Sequence, residues 1–363
     1  MAGTHGEVID EAREAVVDGG LEADAPGHDS TPEGEHRIVT ERCGVLDRSE
    51  RGKLALSGEG ALEFLNGQVT NELMTLRPGE GCYAAFLTHK GKMLGDLRIL
   101  VVHGDEQGAH TELLLDTERA SLQALFDMIR RFKVGYDVAL HKRTLERGLL
   151  SLIGPGSEVI ALGDADAPGA GEHAHTGALA GGEHASARVE IDGIAALAVR
   201  TDVGVDLLCD AADTSRLSSA LRARGAEPIH EQAAECLRVE RGRPRYGIDL
   251  DDTVIPQEAE LNERAVSFTK GCYVGQETVA RLHYKGKPNR HLRGLRLSAP
   301  ASSGEDLVLG ERVVGRVGSV ALSTHLGPIA LALVRREAEP GSVLRVGAHG
   351  TSAKVLELPF PTG

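Results

Sequence analysis

The sequence has no tryptophan and few other aromatic residues: five tyrosines and six phenylalanines in 363 residues. Its hydrophobic content of 41% is nevertheless ordinary for a globular protein. A buried core must therefore be built mainly from aliphatic side chains. The length allows one large domain or two to three of ordinary size.

Long apolar runs are also absent. Segments such as 329–334 are far shorter than the roughly 20 residues that a membrane-spanning helix requires. The N-terminus shows no basic region followed by an apolar stretch, and it is too acidic for a mitochondrial transit peptide. We therefore expect no membrane association and a cytoplasmic location.

Paired cysteines are missing as well. The five cysteines are widely spaced, and no Cys-x-x-Cys pair occurs among Cys43, Cys82, Cys209, Cys236 and Cys272. An odd number in a chain of this length argues against a disulfide framework. The spacing also argues against a self-contained zinc or iron–sulfur site, so we predict no resident metal, and a reducing compartment fits best.

Negative charge is abundant and unevenly distributed. The net charge is −14, and residues 1–36 hold ten acidic residues against one arginine. Because this segment is poor in large apolar residues, we predict that it is a disordered acidic tail. An acidic body argues against bulk electrostatic binding of nucleic acid or membranes.

The hydrophobic patterns predict an α+β protein. Residues 82–87 and 93–102 read as two strands of a hairpin, while 121–132 and 229–240 read as amphipathic helices. From residue 293 onward, short alternating segments separated by Gly and Pro predict a small antiparallel β-barrel.

One segment, residues 164–186, breaks these patterns. It is rich in Ala, Gly, His and acidic residues and has no periodicity. Three histidines, His173, His175 and His184, are compatible with a metal-binding tract, but a Gly-rich loop lacks a preorganised geometry. We favour a flexible insertion.

The most informative stretch is Lys270–Glu277, Lys-Gly-Cys-Tyr-Val-Gly-Gln-Glu. It predicts a loop that leads into the N-terminus of a helix. A thiol in such a position ionises more easily, and Lys270 is close enough in sequence to Cys272 to lower its pKa. A turn that merely contains a cysteine is the simpler alternative.

This string resembles the signature of the YgfZ family of folate-binding, iron–sulfur-cluster maintenance proteins, which are relatives of the glycine-cleavage T-protein (aminomethyltransferase). Residues 64–71, 86–93, 237–242 and 314–319 resemble further motifs of the same family. The resemblance covers roughly residues 40–360 and excludes the acidic tail and the His-rich segment.

The resemblance implies a T-protein-like ring of three modules with a reduced folate, such as tetrahydrofolate, bound in a central hole. It divides the chain into the tail (1–36), an aminomethyltransferase-like folate-binding region (37–292) interrupted by the insertion (164–186), and the C-terminal barrel (293–363).

Two carboxylates match positions that the T-protein uses. Glu240 lies in the Arg-x-Glu segment, whose glutamate orients the pterin ring by accepting paired N–H donors. Asp96 follows the hairpin glycines, where an acid handles protons near the folate nitrogens, although Gly95 replaces the first acid of an Asp-Asp pair. The alternatives are a surface glutamate paired with Arg241 or Arg243, and a strand-edge aspartate.

Cys272 is the feature that the T-protein lacks. The resemblance leaves open whether it is a nucleophile, a redox thiol or a transient cluster ligand, and the last role needs a partner such as an iron–sulfur assembly protein or a client enzyme. The remaining folate contacts implied by the signature and the helix after it are Lys270, Gly271, Tyr273, Gly275, Gln276, Glu277, Arg281 and Tyr284.

A basic run without intervening acids follows the signature, namely Arg281, Lys285, Lys287, Arg290, Arg293 and Arg296. It could hold the glutamate tail of a folate, contact RNA or simply face water.

Three functions therefore stay open. The chain could support iron–sulfur enzymes in the YgfZ manner, act as a folate-dependent aminomethyltransferase, or serve as a folate-binding accessory of tRNA modification. We favour the first on the strength of Cys272.

Overall fold

The computed structural model describes residues 30–103, 111–163, 179, 181–348 and 350–361. The helices are α1 (Pro32–Glu41), α2 (Ala61–Asn66), α3 (Arg119–Phe132), α4 (Ser157–Leu162), α5 (Thr214–Ala223), α6 (Glu231–Glu240), α7 (Asn262–Ala265) and α8 (Gln276–Lys285). Within the described residues, none of these helices has the length and apolar character needed to cross a membrane.

The strands form three separate sheets. In chain order they are β1 (Gly44–Asp47), β2 (Gly52–Ser57), β3 (Gly81–Leu87), β4 (Met93–His103), β5 (Thr111–Thr117), β6 (Ala139–Lys142), β7 (Arg147–Ile153), β8 (Ser186–Ile191), β9 (Ile194–Arg200), β10 (Gly204–Asp210), β11 (Glu227–Pro228), β12 (Arg290–Leu297), β13 (Asp306–Leu309), β14 (Arg312–Ser323), β15 (Gly327–Arg335), β16 (Val343–Val346) and β17 (Thr351–Leu356).

The first sheet is antiparallel, with the order β3-β4-β5-β2-β6. The predicted hairpin is confirmed as β3 and β4. Every second residue of these strands, such as Phe86 and Leu97, points into a core that α2 and α3 cover, with Leu125 of α3 buried there. The other face carries the polar Asp96 and Arg98 beside apolar residues such as Ala85 and Leu100, which pack in other clusters.

The second sheet has the order β11-β1-β7-β10-β9-β8 and contains one parallel pair, β1 with β11. Helices α4 and α5 pack on one face, where Val45 and Leu217 are buried. Helices α1 and α6 pack near its edge on the opposite side, where Ile38, Leu46 and Leu237 are buried together. Adjacent residues of β1 thus serve two different cores, as strand alternation requires.

The third sheet is the predicted antiparallel barrel. It closes in the order β12-β15-β14-β13-β16-β17, because β12 pairs with both β15 and β17. The barrel begins at Arg290, three residues before the predicted boundary, since Arg290 already pairs with Arg335.

Two predicted boundaries need correction. Helix α1 begins at Pro32, within the predicted tail, and it buries Glu35 and His36. The predicted insertion also extends too far, because Leu179 is buried in the core of the second sheet and Ser186 begins β8. Residues 1–29 and 164–178, with His173 and His175, lie outside the described residues.

Candidate active site between two sheets

One face of the first sheet carries a row of polar side chains. The register places Arg98 of β4 beside Tyr83 of β3 and Asp116 of β5, so these three share a face. Asp96 lies two residues earlier on β4 and shares that face as well. The intervening Leu97 packs in the core instead. Strand alternation therefore collects the polar groups on one side.

The second sheet supplies the facing wall. Asp206 of β10 is in register with Ser151 of β7, whose hydroxyl donates to it over 2.7 Å. The guanidinium of Arg98 donates to Asp206 at 2.7 Å and to Asp116 at 2.8 Å, and so bridges the two sheets. Burial alone would raise the pKa of Asp116, but Arg51 and Arg98 outweigh it and lower that pKa.

A cavity of about 210 Å³ lies between these walls, and α6 with the loop after it forms a third side. Its basic lining residues are Arg48, Arg51, Arg98, Arg238, Arg241, Arg243, Arg245 and Arg264. Its acidic lining residues are Asp96, Asp116, Glu118, Glu183, Asp202 and Asp206. Arginines outnumber carboxylates here, whereas the whole chain is strongly acidic, so the cavity favours an anionic ligand.

Asp96 is the most perturbed carboxyl of this cavity. It is 6% exposed, and the Tyr83 hydroxyl donates a hydrogen bond to it over 2.7 Å. Burial raises the pKa of Asp96 to about 6, with Glu118 adding to the rise while the Tyr83 hydrogen bond and Arg51 oppose it. A carboxyl with such a pKa exchanges its proton near neutral pH, as general acid–base chemistry requires.

Three buried nitrogen atoms of cavity-lining residues lack hydrogen-bond partners within the described part of the chain: Nε of Arg98, Nε of Arg245 and Nδ1 of His184. Burial, together with the charges of Arg98 and Arg264, lowers the pKa of His184 to about 3, so its imidazole is neutral. Unpaired buried polar atoms are costly and indicate a ligand or water that satisfies them. A ligand with carbonyl or carboxylate oxygens would suit Arg98.

Glu240, predicted to orient the pterin, lies outside this cavity. Residues two apart on a helix point about 200° apart, so Arg238 and Glu240 of the Arg-x-Glu segment face opposite sides of α6. Arg238 lines the cavity. Glu240 instead contacts His36 Nε2 at 3.1 Å. The alternative, a surface glutamate paired with Arg241 or Arg243, is not seen either, because these two arginines donate to Asp202.

Lys270 is an internal anchor and not a free cation. Its Nζ donates to the main-chain oxygens of Asn66, Val69 and Asn71 over 2.7, 2.9 and 2.5 Å. Burial lowers the pKa of Lys270 to about 8. Because an ammonium has three donors, none is left for a folate or for the Cys272 thiol, contrary to the sequence-based expectation.

Cys272 is the exposed thiol among the five cysteines, and Gly271 and Glu277 beside it are exposed too. Gln276 donates to the Gly271 carbonyl at 3.3 Å, which closes the turn. Of the described residues that line the cavity, none belongs to the signature. The structure therefore presents the thiol to the surface, and Cys272 does not line the cavity that Asp96 lines.

Tyr273 and Gly275 hold the signature against the first sheet. Tyr273 is buried with Ala85 and Met93 in one apolar cluster. Gly275 precedes α8 with a positive φ of 85°, and a side chain there would collide with the Thr88 carbonyl. Both residues have packing roles. None of the predicted folate contacts in residues 270–277 is among the described residues that line the cavity.

The basic run after the signature does not form one continuous patch. Arg290 pairs with Glu258, and Arg293 pairs with Glu260. Arg281 and Tyr284 lie exposed on α8, where Tyr284 contacts the stacked rings of Phe268 and His283 edge-on. Neither of these two predicted folate contacts is among the described residues that line the cavity.

Sequence reasoning missed most of the cavity. Strand register aligns Tyr83, Arg98 and Asp116, and Asp206 reaches Arg98 only because the second sheet packs against the first. One signal was present: Asp96 and Arg98 are charged residues at alternate positions of a strand whose other positions are apolar. That pattern indicates a polar face directed at something other than the core.

Two family models match the chain, the GCVT N-terminal domain over residues 25–270 and the glycine cleavage T-protein C-terminal barrel domain over residues 290–361. The chain belongs to the glycine cleavage T-protein family. This confirms the T-protein part of the predicted resemblance, whereas its YgfZ part stays a prediction.

Comparison with individual members of the T-protein family gives the same result. The chain is 30% identical to an aminomethyltransferase of Geobacillus kaustophilus, covering 90% of this chain and 89% of the relative. It is 31% identical to one of Streptomyces avermitilis, covering 90% and 88%. The crystal structure of aminomethyltransferase T from Bartonella henselae superposes with a TM-score of 0.76 at 23% identity, over 92% of this chain and 90% of that one, which confirms the T-protein fold.

Proposed function

We propose that this protein binds a reduced folate in the cavity between its first and second sheets and transfers a one-carbon unit as an aminomethyltransferase of the T-protein type. The observation that carries the proposal is Asp96. It is a buried carboxyl with a pKa of about 6, in a cavity, at the position where the family resemblance expects an acid. The full-length similarity to two bacterial aminomethyltransferases supports the same class.

The cavity suits a folate in both charge and size. Its exposed Arg241 can pair with a carboxylate of the glutamate tail, and the buried Arg98 Nε offers an unused donor to the ring. The volume of about 210 Å³ is below the roughly 300 Å³ at which pockets for whole drug-sized ligands begin. We therefore assign the cavity to the ring end of the folate and the exposed Arg241 to its tail.

A bound reduced folate would supply nitrogen atoms that carry the one-carbon unit, and the chain supplies the proton chemistry beside them. With a pKa of about 6, Asp96 is mostly ionised at neutral pH and can accept a proton on its carboxylate. Burial and the neighbouring Asp96 raise the pKa of Tyr83 well above its usual 10. Its hydroxyl therefore keeps its proton and continues to orient Asp96.

Titration with tetrahydrofolate and 5-formyl-tetrahydrofolate tests the binding step. We expect micromolar affinity in the wild type and at least about a tenfold loss in Asp96→Asn, since a charge-assisted hydrogen bond contributes on the order of 1.5–3 kcal/mol. The exposed Asp252→Asn is the matched control. Glu240→Gln should bind normally; if it loses affinity while Asp96→Asn keeps it, the folate lies beside Glu240 and this assignment is wrong.

Formation of methylene-tetrahydrofolate from an aminomethylated lipoyl carrier tests the chemistry. The wild type should turn over, and Asp96→Asn should be strongly impaired. Folate binding without turnover above the uncatalysed rate would reject the aminomethyltransferase function while keeping the binding site.

Cys272 favours a second candidate function, support of iron–sulfur enzymes in the YgfZ manner. Its motivation is an exposed thiol inside the eight-residue signature, on a loop that Lys270 and Tyr273 hold in place. Deleting the gene should then lower the activity of iron–sulfur enzymes, and Cys272→Ala should fail to restore it. If Cys272→Ala fully restores iron–sulfur enzyme activity and Asp96→Asn does not, aminomethyl transfer is the better-supported function.

A further inference from the structure

A second group of potential ligands lies on the far side of α6 from the cavity. His36 comes from α1, while Cys236 and Glu240 lie one turn apart on α6. The His36 Nε2 atom is 3.1 Å from Oε1 of Glu240, and the Cys236 Sγ atom is 3.6 Å from the same oxygen. One ligand atom of each residue lies within 4.8 Å of the other two. All three side chains are largely buried.

The other ring nitrogen of His36 is already oriented. Its Nδ1 lies 3.0 Å from the Thr324 hydroxyl, in the turn between β14 and β15. A histidine that binds a metal through one nitrogen usually has the other held in this way, because the partner fixes the ring and its tautomer. Thr324 therefore leaves Nε2 as the nitrogen that faces Cys236 and Glu240.

We propose that His36 Nε2, Cys236 Sγ and the Glu240 carboxylate form a binding site for a zinc ion that joins α1, α6 and the β14–β15 turn. Tetrahedral zinc bonds of about 2.0–2.1 Å to nitrogen or oxygen and 2.3 Å to sulfur place ligands about 3.3 and 3.6 Å apart. The separations from Glu240 to His36 and to Cys236, 3.1 and 3.6 Å, come close to these values, and the third pair, His36 Nε2 and Cys236 Sγ, lies within 4.8 Å. Nitrogen, sulfur and carboxylate ligands are a combination that zinc accepts.

Zinc binding would change the protonation of two of the three ligands. Zinc binding to Cys236 releases the thiol proton to solvent. The hydrogen that His36 Nε2 donates to Glu240 in the metal-free protein moves to Nδ1, where the Thr324 hydroxyl can accept it, so Nε2 binds zinc with its lone pair. The Glu240 carboxylate accepts from His36 Nε2 and from the Cys236 thiol, so one of its oxygens already faces both other ligands. The fourth position is left to water or to His325, whose ring centroid is 5.6 Å from that of His36.

The site is independent of the folate proposal, because Glu240 and Arg238 face opposite sides of α6. A metal here would instead tie the N-terminal helix and the barrel turn to α6, and metal affinity would contribute to folding stability. An ordinary hydrogen-bonded His–Glu–Cys cluster is the competing interpretation, and it predicts no stoichiometric metal binding.

The full-length chain, stripped with a chelator, should be titrated with Co²⁺ and with Zn²⁺. We expect one equivalent to bind, a thiolate-to-cobalt charge-transfer band, and a higher melting temperature with Zn²⁺. Cys236→Ser should abolish the band and weaken binding more than about 100-fold, since even outer-shell partners typically matter 10–100-fold. Thr324→Val, which keeps all three ligands, should weaken binding about tenfold.

The control is Cys272→Ser, which removes the exposed thiol and should keep both the band and the stoichiometry. If the band survives Cys236→Ser and disappears in Cys272→Ser, the proposal is wrong and the surface thiol binds the metal. Absence of an equivalent of bound metal in the wild type also overturns it. If circular dichroism shows that Cys236→Ser does not fold, His36→Gln and Glu240→Gln replace it, and each should weaken metal binding. Unchanged metal affinity in both variants would contradict the site.

Discussion

Asp96 illustrates how a site can be maintained at the expense of stability. A carboxyl normally has a pKa near 3.8, and burial raises that of Asp96 to about 6. The folded state therefore binds the proton more tightly than the unfolded chain does. As pH rises from about 4 to about 6, the free energy of unfolding loses the contribution of the protonated carboxyl, and the loss is complete above pH 6.

Asp96→Asn should therefore stabilise the protein at neutral pH. At about 1.4 kcal/mol per pKa unit, the difference between 3.8 and about 6 corresponds to at most about 3 kcal/mol. We expect a gain of roughly 1–3 kcal/mol at pH 8 and almost none at pH 4, because the Asn oxygen can still accept the Tyr83 hydrogen bond. Urea unfolding at both pH values measures this. An equal effect at the two pH values would contradict the raised pKa.

Lys270 shows where residue-level inference from sequence fails. The lysine is two residues from Cys272, and proximity in sequence suggested that its charge activates the thiol. Its Nζ instead satisfies three carbonyls of residues 66–71, about 200 positions away. A local string reveals which residue types are present, but not which distant backbone groups require a donor.

At the scale of elements, the loop before α8 depends on one glycine. Gly275 has a φ of 85°, and a Cβ there would lie 2.6 Å from the Thr88 carbonyl oxygen and 3.1 Å from the Gly91 Cα atom. Gly271, in the same loop, has nothing within 4 Å of its would-be Cβ. The two glycines of the signature therefore have different roles.

Gly275→Ala should destabilise the protein by about 2–4 kcal/mol, because it combines an unfavourable backbone conformation with a backbone collision. Gly271→Ala, the matched control, should change stability by less than about 0.5 kcal/mol. Chemical denaturation of both variants measures the difference. Similar stabilities for the two would mean that the signature loop shifts freely and does not fix Cys272.

The elements that the sequence predicted well are those with a strong local pattern. Strands β3 and β4 alternate clearly, and α6 has a regular apolar stripe. Helix α1 was missed because its acidic composition resembles that of the tail, whereas its Glu35 and His36 are buried by contacts with His230 and Glu240. Tertiary contacts of this kind override composition, and they cannot be read from the segment alone.

At the scale of the whole molecule, the cavity exists because the first sheet, the second sheet and α6 meet around it. The family resemblance supplied that architecture, but the strand register and the rotation of α6 decide which side chains enter the cavity. Arg238 illustrates the dependence: it lines the cavity, and its guanidinium also donates to Ser319 of the barrel at 2.6 Å and to Asp249 at 3.2 Å. The barrel thus positions a cavity residue without lining the cavity.

Asp249 is the centre of that connection. Its carboxylate, fully buried, accepts from the Ser319 amide at 2.7 Å, the Ser319 hydroxyl at 2.8 Å and the Arg245 amide at 2.9 Å, besides Arg238. Removing the carboxylate would leave a buried amide and a buried cation poorly satisfied.

Asp249→Ala should therefore cost about 3–5 kcal/mol of stability, the range for breaking one side of a buried ion pair. It should also weaken folate binding, although Asp249 is not a lining residue, because Arg238 and Arg245 lose the group that holds them at the cavity. Urea unfolding and folate titration, with the exposed Asp252→Ala as control, measure both effects. A destabilised variant that still binds folate with wild-type affinity would contradict this coupling and show that the barrel contributes only to the stability of the fold. In that case Glu235, which pairs with both Arg238 and Arg245, would hold the two arginines in position.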